Sequence, residues 1–180
     1  MSKQIAVLVG SLSKQSLNKK IAQYLQQTAP ANIQLNLIDL SDLPLYDRDL
    51  DENSPASYER IRNEIKAADG VIWITPEHNA GIPAVLKNAI DICTRPAGQN
   101  CWKGKPLGVV TAAAAMAGGQ RVGDQLRNIA TQLEMPILPM QTPISQIFNL
   151  FDEQGNFANP YAKARLDEFL VAYGQFVEKC

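Results

Sequence analysis

"VIWITPEHNAGIPAVLKNAIDIC", residues 71–93, contains a strand, a tight loop and a helix in sequence. Val71-Ile72-Trp73-Ile74 is an unbroken apolar run and reads as a strand buried on both faces. Ile82, Val85, Leu86, Ala89, Ile90 and Cys93 recur at helical spacing, which predicts an amphipathic helix with Pro83 in its first turn. Between the two, Pro76 cannot extend a sheet ladder and biases Thr75 toward extended geometry. Burial on both faces is the mark of a parallel sheet, and a parallel sheet needs helical crossovers.

The same alternation runs outward in both directions. Gln4 to Val9 reads as a first strand ending at Gly10, and Leu17, Ile21 and Leu25 as a helix stopped by Ala29-Pro30. Ile33 to Leu40 alternates as a second strand, followed by a long acidic connection, 40–55, of the kind that is often functional. Tyr58, Ile61, Ile65 and Ala68 predict the next helix. Beyond residue 93, Leu107 to Thr111 reads as a fourth strand, and Val122, Leu126, Ile129, Ala130 and Leu133 as a helix. Pro136-Ile137-Leu138 is expected to start a short fifth strand, and Leu166 to Val177 to close the chain as a helix. The expected fold is therefore α/β, one domain over residues 1–180, with a five-stranded parallel sheet in order 2-1-3-4-5 and helices on both faces. Ligands of such sheets bind at the carboxyl ends of the strands flanking the switch point, here residues 10–18, 75–81 and 111–119.

Composition narrows the function classes. The formal net charge is −1 and no basic run occurs, so a nucleic-acid partner has no electrostatic support. No apolar stretch approaches the roughly 18 residues that span a bilayer, and no membrane partner is expected. The chain enters a strand-like run at once, so no signal peptide is expected. Cys93, Cys101 and Cys180 form no CxxC pair, and with His78 as the one histidine a zinc site is not expected. Reduced thiols in the cytoplasm are the default.

Three loops carry the candidate chemistry. "GSLSKQSLN", residues 10–18, joins the first strand to the first helix. Free amides at a helix start favour an anion, and Ser11, Ser13, Ser16 and Asn18 add short donors, with Lys14 at the rim. Neither GxxxxGK[ST] nor GxGxxG is present, so the loop suits a monophosphate rather than a nucleoside triphosphate or a classical dinucleotide turn. The alternative is a polar turn with Ser16 as helix cap. No GxSxG occurs, which disfavours a serine hydrolase. In the second loop, Gly81 and Ala80 let a planar ligand approach, with Glu77, His78 and Asn79 facing the same crevice. A lone loop histidine more often bonds backbone than catalyses. The third loop, "TAAAAMAGGQR", residues 111–121, has almost no bulk and is expected to form a flat wall. A monophosphate site beside a planar-ring site at one switch point describes a flavin mononucleotide.

With these motifs in place, the sequence resembles the NADPH-dependent FMN reductase family, of flavodoxin-like fold, a three-layer sandwich. "GSLSKQSLNKKIA" resembles its phosphate loop, "TPEHNAGIPAVLKNAIDICTR" its signature P-E-Y-N then P-x-x-L-K-N-A-I-D, and "GGQRVGDQLR" its Gly-Gly-x-Arg stretch. The resemblance implies non-covalent FMN, with its phosphate on Ser11, Ser13, Ser16, Leu17 and Asn18. The ring would lie against Pro76, Glu77, His78 and Asn79, with Ala112, Ala113 and Gly118 on its other side. It implies NADPH or NADH as reductant and a small-molecule acceptor: a quinone, azo, nitro or metal-oxyanion compound. It also implies a homodimer or homotetramer, with the third helix and residues 43–50 near the contact. No side-chain acid or base is expected, because the flavin carries the chemistry. Arg121 or Arg95 could meet nucleotide phosphates, or could serve as surface ion pairs. The chain departs from the family at His78, where tyrosine is usual. The competing class is an FMN-binding electron carrier without reductase activity, which the near-neutral charge disfavours.

Overall fold

The computed structural model describes residues 2–180. Five strands, β1 (Lys3–Val9), β2 (Ile33–Leu37), β3 (Gly70–Thr75), β4 (Leu107–Ala112) and β5 (Thr142–Ile144), form one parallel sheet in order β2-β1-β3-β4-β5. The helices are α1 (Leu17–Thr28), α2 (Ala56–Ala67), α3 (Ala84–Ile92), α4 (Gln120–Gln132) and α5 (Pro160–Val177). The order and the flavodoxin-like layering are those expected from the strand–helix alternation.

The period of two along each strand splits the core into two. Ile5 and Val7 of β1 and Ile72 and Ile74 of β3 pack under α1 and α5, against Ile21, Leu25, Leu166, Phe169 and Leu170. Ala6, Leu8, Val71 and Trp73 pack under α2, α3 and α4, against Ile61, Ile65, Leu86, Ile90, Val122 and Leu126. All six residues of β3 are buried, as a central parallel strand requires. At the amino ends of β3 and β4, the buried Tyr173 hydroxyl lies 3.1 Å from the Val71 carbonyl and 3.0 Å from that of Pro106. Burial pushes its ionisation well above the ordinary tyrosine range, so it stays a neutral donor. This tie braces the end of the sheet opposite the three candidate loops.

Two expectations need correction. Pro136-Ile137-Leu138 does not start the fifth strand: Ile137 makes one isolated bridge to Leu107, and β5 begins at Thr142. Beyond that bridge the Leu138 and Met140 carbonyls accept from Arg127 Nη2 at 3.1 and 2.9 Å, and the ladder resumes only at Thr142. Pro83 is the residue before the first turn of α3 and not within it, with an extended ψ of 141°.

Candidate functional site

The three candidate loops leave the sheet level with one another. Val9 is in register with Ile74, Thr75 with Thr111, and Ala112 with Ile144. Gly10 donates its amide to the Ile74 carbonyl at 2.8 Å, holding the first loop against β3. A Cβ on Gly10 would sit 2.2 Å from Thr75 Oγ1, so only glycine allows that exit.

In the first loop, Ser16 is the α1 cap: its Oγ accepts from Lys19 N at 3.1 Å. Ser16 N in turn bonds the Ser13 carbonyl at 3.1 Å, and Ser13 Oγ accepts from Gln15 N at 3.3 Å. The capping alternative is thus realised, yet it leaves the Ser16 hydroxyl hydrogen free to donate. Among the described residues, the amides of Leu17 and Asn18 have no partner within the chain. Asn18 is 4 % exposed and its Oδ1 is buried without a hydrogen bond. A buried orphan oxygen beside open helix-start amides is what a ligand or water must satisfy. Lys14 and Lys19 line a groove of about 400 Å³ on the β2 side, together with Ser11, Ser13, Asp39 and Ser41.

The second loop is a two-residue hairpin. His78 N donates to Gly81 O at 3.1 Å and Gly81 N to His78 O at 2.9 Å, with Asn79 at φ 50° and Ala80 at φ 60°. Two successive left-handed residues make a type I′ turn, whose second position favours glycine. Asparagine tolerates that region. Alanine pays about 1–2 kcal/mol for it. His78 is exposed, and its amide is committed within the turn. The amides of Glu77, Asn79 and Ala80 have no partner among the described residues.

The Glu77 carboxylate does not point into the crevice. It reaches α4, accepting from Val122 N at 3.3 Å, with Arg121 Nη1 at 3.9 Å. The α4 cap residue, Gly119, brings no side-chain bond of its own. Gln125, one turn further along α4, donates Nε2 to the Ala80 carbonyl at 2.9 Å. Arg121 is 74 % exposed, and its ion-pair role is the one on view. Arg95 lies over the Tyr46 ring, 6.0 Å from its centre.

The third loop curls back toward β5. Ala113 N bonds Ile144 O at 3.1 Å and Ala113 O accepts from Ile147 N at 3.2 Å. Thr111 Oγ1 donates to the Gly118 carbonyl at 2.8 Å. Ala112 is buried and Ala113 half-buried at the end of β4, while Ala114 to Ala117 are exposed. Gly118 has left the crevice: its missing Cβ faces the Ile144 backbone at 2.9 Å. Ser11, Leu17, Asn18, Pro76 to Asn79, Ala112 and Ala113 therefore stand at three adjacent strand ends, and Gly118 supports them from behind. Sequence reasoning missed Gln125 and Thr111. Each is an ordinary polar residue of a helix or strand, and only the fold brings it to its partner.

The donor set fits FMN. Helix-start amides and serine hydroxyls stand at one end, beside the buried Asn18 carboxamide, whose Nδ2 can donate. Free turn amides stand at the other, and alanine methyls edge the space. No group of three or more His, Cys, Asp or Glu residues suited to a metal occurs among the described residues.

Comparison with known proteins agrees with this reading. The profile of the NADPH-dependent FMN reductase family matches residues 4–149. A quinone reductase of Pseudomonas putida is 39 % identical over 170 residues, 92 % of this chain and 91 % of the relative. An NAD(P)H-dependent FMN reductase of Pseudomonas aeruginosa is 34 % identical over 183 residues, 99 % of this chain and 98 % of the relative. The solved structure of the flavoenzyme NAD(P)H:(acceptor) oxidoreductase of Paracoccus denitrificans superposes with a TM-score of 0.90 at 35 % identity, covering 98 % of each chain. With fold, donor set and sequence in agreement, the chain belongs to the NADPH-dependent FMN reductase family, an FMN-containing oxidoreductase that takes its electrons from NADPH or NADH.

Proposed function

We propose that the protein passes electrons from NADPH or NADH to a quinone through FMN held across the ends of β1, β3 and β4. The observation that carries this is the level register of those three ends, with phosphate-type donors on the first loop and unpaired amides on the second. Bound FMN would supply two-electron chemistry, taking hydride from the nicotinamide and releasing two electrons to the acceptor. The chain's part is placement and electrostatics. Ser11, Ser13, Ser16, Leu17 and Asn18 would hold the phosphate. The amides of Glu77, Asn79 and Ala80 would face the ring carbonyls and favour charge on the ring. Azo, nitro and metal-oxyanion compounds belong to the same acceptor class, since an open cleft without a side-chain acid selects weakly.

The purified protein is expected to be yellow and to bleach on anaerobic addition of NADPH or NADH. Bound flavin that neither nucleotide bleaches would instead mark an electron carrier. A colourless protein that takes up no FMN would sink both readings. His78→Tyr is expected to retain the flavin, since His78 holds the turn through its backbone, and to shift the flavin potential, because an exposed side chain beside the ring is exchanged. An unchanged potential would remove His78 from the chemistry.

The functional unit is proposed to be residues 1–180 as one FMN-binding domain, assembled as a homodimer or homotetramer in the cytoplasm. Leu45, 76 % exposed, sits in a loop pinned to α3 by Tyr46 N to Asn88 Oδ1 at 2.7 Å and Asn88 Nδ2 to Pro44 O at 2.8 Å. That surface suits a second copy, and a monomeric mass in solution would exclude it. Three free cysteines suit a reducing compartment. No helix among the described residues is long and apolar enough to cross a membrane.

A further inference from the structure

Glu77 stands in a loop proposed to bind a flavin ring, yet its charge is turned away from that loop's open side. Its carboxylate is 18 % exposed and accepts from Val122 N at 3.3 Å, 45 residues along the chain. Gln125 Nε2 reaches back from the same helix to the Ala80 carbonyl at 2.9 Å. Both bonds run in the same sense, from a donor on the helix to an acceptor on the loop. They grip the hairpin ahead of its two left-handed residues, at Glu77, and at the second of them, Ala80. Alanine does not hold that conformation by itself, as glycine would. Something outside the turn must hold it, and the two α4 contacts are the side-chain bonds that reach it.

From this we infer that Glu77 and Gln125 are positioning residues. They form a two-point brace through which α4 fixes the hairpin with the amides of Asn79 and Ala80 aimed at the flavin ring. The inference rests on the FMN reading above. It assigns both side chains a role in ring recognition although neither touches the ring. It also makes α4 a rigid backing for the site: movement of its first two turns moves the amides that meet the cofactor.

The test uses four proteins: wild type, Glu77→Ala, Glu77→Gln and Gln125→Glu. Glu77→Gln keeps an acceptor for Val122 N, and the lost ion pair with the exposed Arg121 contributes little. Gln125→Glu keeps the length and removes the donor. Amide exchange at His78 and Gly81 in the FMN-free protein is expected to quicken on the order of 10-fold in Glu77→Ala and Gln125→Glu, with FMN affinity about 10-fold weaker. Glu77→Gln should restore both. A purely structural role predicts something else, a lower melting temperature with turn exchange and FMN affinity unmoved, and that result overturns the proposal. Wild-type protein that takes up no FMN overturns the reading on which the proposal rests. Wild-type uptake with variants indistinguishable in exchange and affinity overturns the brace alone.

Discussion

Gly118→Ala is expected to destabilise the folded protein by about 2–4 kcal/mol, combining left-handed strain with overpacking against backbone. The residue has φ +59°, and an added Cβ would lie 2.9 Å from both N and C of Ile144 and 3.0 Å from the Pro143 carbonyl carbon. Those atoms belong to β5, which β4 holds in register, so they cannot yield as a side-chain tip would. Gly118 also presents its carbonyl to the buried Thr111 hydroxyl at 2.8 Å, and this bond folds the third loop back onto the sheet. For a chain of this size the melting temperature should fall on the order of 5–15 °C. Gly155→Ala is the control. It has φ +85° with nothing within 4 Å of the added Cβ, so it feels the strain alone, about 1 kcal/mol. Equal melting temperatures for the two variants would show that β5 gives way and that Gly118 is not a steric keystone.

The contrast shows where sequence reasoning reaches and where it stops. Apolar runs such as Val71 to Ile74 announce a buried parallel strand, because burial of both faces leaves no polar alternation to confuse the reading. The strand order follows, and with it the three strand ends that matter. The fifth strand is harder. Thr142–Ile144 is three residues with a proline at its centre, and nothing local separates it from the stretch at 136–138, which makes one bridge, after which the Leu138 and Met140 carbonyls go to Arg127. Edge strands this short are decided by the ladder that receives them.

Side-chain direction is the second boundary. Glu77 and His78 are neighbours in a loop and look alike as candidates for the crevice. The fold separates them: Glu77 serves the amino end of α4, while His78 closes a hairpin through its backbone. The partner of Glu77 is distant in sequence, and a carboxylate seeking a helix start has no local signature. Ser16 was legible for the opposite reason, since its partner Lys19 N lies three residues away.

The second large effect is expected at Asn18. Its Oδ1 is buried with no donor among the described residues, which costs the folded protein about 1–3 kcal/mol relative to a satisfied or apolar group, and its Nδ2, likewise without a hydrogen bond there, is the atom able to donate to a phosphate. Such a cost persists in a protein when the group has work to do with something bound. Leucine has the same branching at Cγ and no polar atoms. Asn18→Leu is therefore expected to stabilise the FMN-free protein by about 1–2 kcal/mol while weakening FMN roughly 10- to 100-fold, the range for losing a hydrogen bond to a charged group. Ser16→Ala supplies the opposite sign on stability. It removes the cap bond to Lys19 N and should cost about 1 kcal/mol, together with the hydroxyl proposed to meet the phosphate. The pair separates fold from function: both variants lose cofactor, but one melts higher and the other lower than wild type. If Asn18→Leu melts lower and binds FMN as tightly as wild type, Asn18 is a packing residue and the phosphate is held by the helix-start amides and serines without it.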